Sequence, residues 1–334
     1  PKGDKQNNVL TNAHIVNSKF ELSGKTPLIF KKEVIFENNV IKQVGDFYEP
    51  QIVLNNEKSN LKNVTIKNAV AKTEHALISI ESASVTIDDI RTDETCSMSL
   101  LEGTISGLIF QNSEISGIKS SKENNKLKYF INFNLIQPTD SGRINVEFTD
   151  CIFKKNQIPV FGFNGQLVYN ATIGKCVFTK NQASKGSCIC IIPEDSRRTE
   201  YKLIIKNNTF SENINGDSDS NYVGGALHIT TVDAVFEGNN YFYRNEITNS
   251  EGNAFGASIH LIQIFVDPYT IENAYFENDY SCFDAGSLFI HGLDADGDTK
   301  NKYVTIKKCT FVNCYAKNNG GAISSGRQSG NGAS

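Results

Sequence analysis

The sequence predicts an all-β fold, a single-domain parallel β-helix, and three observations predict it. Strand and turn formers dominate: Phe, Tyr, Ile, Val and Asn are plentiful, while Met occurs once and Trp is absent. No stretch carries apolar residues at i, i+3, i+4 and i+7 over successive turns, so helix signatures are missing. A short β-branched line recurs along the chain, and a glycine motif follows its later copies.

The recurring line reads VTIKNAV at 64–70, VTIDDI at 85–90, VEFTDCIF at 146–153, ATIGKCVF at 171–178, LIIKNNTF at 203–210, YTIENAYF at 269–276 and VTIKKCTF at 304–311. The copy AVFEGNNYF at 234–242 has one extra residue, the mark of a bulge. From Phe153 through Phe178, Phe210, Phe242 and Phe276 to Phe311 the steps are 25, 32, 32, 34 and 35 residues. The second line reads GSC (186–188), GGAL (224–227), GASI (256–259), AGSL (285–288) and GGAI (320–323).

Two or three short strands per repeat cannot bury a core alone. Stacked coils solve this, each strand pairing in parallel with its copy about 4.8 Å away. One inward column is expected from Ile66, Ile87, Phe148, Ile173, Ile205, Ile271 and Ile306, and a second from the phenylalanines just named. The glycine before the Ala/Ser–Ile/Leu pair of the second line supplies the unusual backbone dihedral for a tight corner. Less regular strands at 28–36, 51–54, 76–80 and 107–112 carry the pattern towards the N-terminus. The expectation is one solenoid of about a dozen coils over 1–324, clearest over 140–324, with a flexible Gly/Ser-rich tail at 325–334.

Composition narrows the function classes. A net charge of −4 over 334 residues gives no electrostatic case for nucleic acid. No apolar run approaches the length of a membrane-spanning helix. The opening PKGDKQNN is polar, lacks an apolar signal core and does not begin with Met, which reads as a processed product or a fragment.

The motifs GGAI and Phe-x-x-Asn occur together in this chain: GGAL at Gly224 and Gly225, GGAI at Gly320 and Gly321, and Phe153–Asn156, Phe178–Asn181, Phe210–Asn213 and Phe242–Asn245. In this it resembles the polymorphic outer membrane proteins of chlamydiae and the similar surface proteins of trichomonad parasites. The resemblance covers roughly 140–324 and implies a right-handed parallel β-helix on a cell surface, acting in adhesion. Two copies depart from the motif, ending at Asp279 and Cys314, and no C-terminal translocator barrel is present in this sequence.

Candidate sites each have a plainer reading. Cys151, Cys176 and Cys309 share one register, and Cys151 with Cys176 could form a disulfide between adjacent coils; buried free thiols are the alternative. His228 and His260 are expected to face outward one above the other, as an exposed ladder or two ligands of a metal or pH-sensing pair. Asp294, Asp296 and Asp298 invite a calcium reading, but Gly297 and Thr305 depart from an EF-hand loop and a solvated insertion is the default. No other cofactor is expected. Asn63, Asn170 and Asn207 head glycosylation sequons.

The outward position after the inward Ile or Phe reads Lys206, Glu237, Glu272 and Lys307, a surface ion-pair ladder. Asp88, Asp89 and Arg91 are the nearest approach to a catalytic group, with Asp150 in the register of Asp89 about two coils away. The expected function is therefore a non-catalytic extracellular or cell-surface scaffold. It would bind a protein or glycan on another surface, or associate end to end as a homo-oligomer or filament. The alternative is a polysaccharide lyase or glycoside hydrolase of the β-helix class.

Overall fold

A computed structural model of the chain describes residues 8–23, 26–55, 58–73, 75–119, 129–135, 144–164, 169–183, 186–191, 202–216, 224–230, 233–248, 254–262, 269–291 and 304–326. All regular structure among them is β, and every strand pair is parallel. The chain is a parallel β-helix. It divides into two compact units, Pro1–Tyr169 and Asn170–Ser334.

The second unit shows most plainly how the repeat folds. One coil runs through strands Lys202–Lys206, Thr209–Ser211, Ile214–Asn215 and Leu227–Thr230. Each pairs with its equivalent in the next coil: Ile205 with Phe236, Phe210 with Phe242, Asn215 with Ile247 and Leu227 with Ile259. The expected columns form here. Ile173, Ile205, Phe236, Ile271 and Ile306 lie in successive register. Phe178, Phe210, Phe242, Phe276 and Phe311 do the same, their ring centroids 4.9, 4.9, 4.8 and 4.6 Å apart and their planes within 10° of parallel. Those separations match the interstrand spacing of a sheet, about 4.8 Å.

What bends the strands is a two-residue corner. Asn207 (φ 55°) and Glu212 (φ 54°) lie in the left-handed region, each followed by a buried residue that turns inward, Asn208 and Asn213. The same place in other coils holds Lys175, Gly238, Asn273 and Lys308 at the first corner, and Lys180, Arg244, Asn278 and Asn313 at the second. The left-handed residue changes the pleat, so both flanking strands can point apolar side chains inward. Asn239, the extra residue of the 234–242 copy, sits in this corner, its N–H donating to Asn207 Oδ1 at 3.0 Å.

Asparagine follows the second corner because it satisfies two backbone groups at once and bonds to the asparagines of the coils on either side. Asn213 Nδ2 donates back to Phe178 O at 3.0 Å and forward to Asn245 Oδ1 at 3.0 Å. Its Oδ1 accepts from Asn181 N and Nδ2 at 3.1 and 3.0 Å. Asn245 repeats the backward bond to Phe210 O at 3.0 Å. The Phe-x-x-Asn motif is thus a stacked ring with a buried amide ladder beside it.

In the first unit the strands are longer, Leu28–Gln43, Lys58–Lys67, Ala76–Thr92 and Ser99–Gln111, and corners lie within them. Phe36, Leu61, Ile87, Phe110 and Phe148 form one column. Ile66 pairs instead with Ile41 and Thr92, so it does not share a column with Ile87 as expected. The two VTI triplets look equivalent but are offset, because register is set by the left-handed corners Asn63 and Asp89, which are matched through Lys62–Asp88 and Val64–Ile90. Asn156 obeys the ladder rule here, its Nδ2 donating to Ile115 O at 3.4 Å and its Oδ1 accepting from Ile118 N at 3.1 Å.

Asn213→Ala leaves Asn181 N and Phe178 O without these buried partners and is expected to cost about 3 kcal/mol. Lys175→Gly relieves a left-handed residue at an exposed corner and is expected to gain up to about 1 kcal/mol. Denaturant unfolding of both variants reads the two opposite signs.

Candidate functional site

The Gly motif builds a second layer on the outside of one sheet. Strand Leu227–Thr230 buries Leu227 and Ile229 inward, yet His228 between them is also buried. The reason is the loop before it. The Cα of Gly224 lies so close that an added Cβ would sit 3.1 Å from His228 Cβ and 2.7 Å from His260 Cβ. Glycine is therefore required where the chain folds over its own outward face. At Gly225 an added Cβ would fall 1.6 Å from Ala257 O, so a side chain there cannot coexist with the next coil. The left-handed corner dihedral does not fall on the expected glycines Gly225, Gly286 and Gly321; in the last two copies it lies one residue earlier, at Gly320 (φ 64°) and at Ala285 (φ 55°), which adopts it without being glycine.

The expectation that His228 and His260 face solvent is thereby corrected. They stack as predicted, ring centroids 5.0 Å apart, but are 2% and 0% exposed. Their column runs from Cys190 through His228 and His260 to Phe289, and Phe255 packs on His260 and Phe289 with centroids at 5.7 and 4.3 Å. Among the described residues no group of three or more His, Cys, Asp or Glu is placed to hold a metal ion. Asp294, Asp296 and Asp298 lie outside the described residues.

No disulfide joins the cysteines, Cys151 and Cys176 included. Several take the asparagine's place at a corner. Cys309 Sγ donates to Ile271 O at 3.5 Å and Cys314 Sγ to Phe276 O at 3.7 Å, the same backward bond that Asn208 makes to Ile173 O and Asn245 to Phe210 O. In the first unit Cys151 Sγ donates to Phe110 O at 3.6 Å. Burial pushes the Cys96 thiol up to about 12 and raises that of Cys188 further.

Asp279 interrupts the amide ladder. It is 1% exposed, and its Oδ1 accepts from Asn245 N at 2.9 Å. Its Oδ2 accepts from Ser258 Oγ at 2.5 Å, and Ser258 in turn accepts from Asn245 Nδ2 at 3.1 Å. Burial pushes its carboxyl up to about 7, against the lowering effect of those hydrogen bonds. The sequence marks this residue only as a departure from the motif.

The outward faces are flat and paired. Lys206 lies 4.0 Å from Glu237, Glu272 lies 3.4 Å from Lys307 and 3.3 Å from Lys308, and Lys180 lies 3.6 Å from Glu212. Tyr241 and Tyr275 stand in one column with centroids 6.1 Å apart, and Tyr280 and Tyr315 stack in another at 5.7 Å. Arg244 covers Tyr243 at 4.8 Å. Asp88, Asp89 and Arg91 do not converge on a cleft: Asp88 accepts from Asn112 and Asp89 from Arg91 at 2.8 Å. Asp150 shares the register of Asp89 with Asn112 in the coil between, through Asp88–Gln111 and Gln111–Thr149. Asn63 and Asn207 are exposed corner residues, and Asn170 is half-buried within a strand.

No protein-family model matches the chain, and no curated protein matches it. Among solved structures, the surface protein and adhesin PfbA of Streptococcus pneumoniae is similar over 95% of this chain and 91% of its own, at 12% identity and a TM-score of 0.38.

Thiol burial gives a direct check. In the native protein at pH 8, Cys282, Cys309 and Cys314 should be alkylated before Cys96, Cys151, Cys176, Cys188 and Cys190, by roughly tenfold or more in rate. Unfolding should bring all the cysteines to a common rate, as peptide mass spectrometry would show.

Proposed function

We propose that the chain is a non-catalytic β-helix scaffold, displayed at a cell surface or secreted, that binds a protein or glycan partner in adhesion. The observation that carries this reading is the outward face of the second unit. Its charges are set against one another along the coils, and its uncharged positions hold tyrosines with Thr179 and Ser211, hydrogen-bonded at 2.9 Å. Tyr241 is 47% and Tyr315 56% exposed, Arg244 covers the half-buried Tyr243, and Tyr and Arg are enriched at binding surfaces. Fold alone would not supply the function. The Phe-x-x-Asn and GGAI motifs support the resemblance to chlamydial and trichomonad surface proteins, and with it the adhesive reading.

The test is binding of the purified chain to glycan arrays and to cells. Tyr241→Ala with Tyr315→Ala is expected to weaken binding roughly tenfold or more while leaving the melting temperature unchanged. Turnover of uronic-acid polymers, or binding indifferent to both substitutions, would overturn the proposal.

A further inference from the structure

The amide ladder obeys a rule at every step where its bonds are seen. The residue after the second corner donates its side-chain hydrogen back to the carbonyl of the previous coil's residue in the phenylalanine column, which is Ile115 for Asn156. Asn213 donates to Phe178 O, Asn245 to Phe210 O and Cys314 to Phe276 O. By this rule the step at 279 requires a donor to Phe242 O. Asp279 has its Oδ1 in the acceptor role of an asparagine Oδ1, taking Asn245 N at 2.9 Å and Asn245 Nδ2 at 3.5 Å. Its Oδ2 therefore holds the place of the missing Nδ2. As a carboxylate it has no hydrogen to give; as a carboxylic acid it has one.

We propose that Asp279 is a proton-operated latch in the ladder: protonated, its Oδ2–H closes the step to Phe242 O, and ionised, it sets acceptor against acceptor and loosens the coil at 269–291. The groups that face it are Asn245 from the preceding coil, Ser258 and Ser287 from the Gly-motif turns, and the Cys314 thiol from the following coil. None of these is a cation that would hold the carboxylate. The thiol of Cys314 is itself raised, first by burial, so it is neutral over the range where Asp279 titrates. Glu277 and Glu246 belong to the same coils but stand at outward, half-exposed strand positions.

The direction with pH follows from linkage. Below the ordinary value of 3.8 the carboxyl is protonated whether the coil is closed or open, and closure does not depend on pH. Between that value and about 7 only the closed coil keeps its proton, so closure weakens about tenfold for each unit of rising pH. Above about 7 the group is ionised in both states and closure stays at its weakest.

The experiment is amide hydrogen exchange by NMR on the full chain and on Asp279→Asn, corrected for intrinsic rates. The reporters are Asn245 N, bonded to Asp279 Oδ1, Tyr280 N, bonded to Asn245 O at 3.0 Å, and Tyr315 N, bonded to Asp279 O at 2.9 Å. In the native sequence their protection should rise about tenfold per unit from pH 7 down to pH 5, while Asn213 N, two ladder steps from Asp279, stays flat. Asp279→Asn should be flat throughout and the better protected of the two at pH 8. A flat native profile, or an Asp279→Asn less protected than native at pH 8, overturns the latch. Infrared difference spectra of the native chain decide independently of the variant. A protonated carboxyl band lost as pH rises through about 7 supports it, and its absence sinks it.

Discussion

Every feature of the chain depends on one constraint, the in-register parallel pairing of each strand with its copy one coil away. At about 4.8 Å per step, whatever a position holds is stacked on its equivalent. Phe178 to Phe311 stack with near-parallel rings because the sheets set their spacing, which falls within the range that stacked aromatic pairs favour. The same spacing lets asparagine bond to asparagine and sets Lys206 against Glu237. Side chains that would repel or stay unsatisfied are the ones a column cannot keep.

The corners carry the second half of the energetics. A left-handed residue followed by an inward donor turns the strand and satisfies the carbonyl of the coil before. The donor need not be an amide: Cys309 and Cys314 fill the role with a thiol, a weaker donor but a small apolar one. That accounts for cysteine recurring at corners in a chain whose cysteines form no disulfide. Where the position is Asp279, the ladder acquires a group whose ability to donate depends on its proton.

Much of this was legible in the residues, and the misreadings have identifiable causes. The phenylalanine and isoleucine columns of the second unit could be read because repeat length fixes register. Spacing alone aligns Ile66 with Ile87 because similar triplets recur within long bent strands, and only the backbone at Asn63 and Asp89 tells which triplet matches which. Strand alternation predicts an exposed His228 because it assumes one wet face. Gly224 and the turn it begins cover that face, and no period in the sequence reports a covering turn. The cost of a left-handed backbone was visible only where glycine stood, not at Lys175, Glu212 or Arg244.

The sequence by itself determined that the chain is β throughout, that its coils stack and which rings and amides lie over one another, because periodic spacing and side-chain character are written in the residue order. The tertiary structure decided which positions are dry. Burial of His228, the neutral thiols and the raised carboxyl of Asp279 all follow from what neighbouring coils and turns place against them, and solvent exclusion is a property of packing that no single repeat contains.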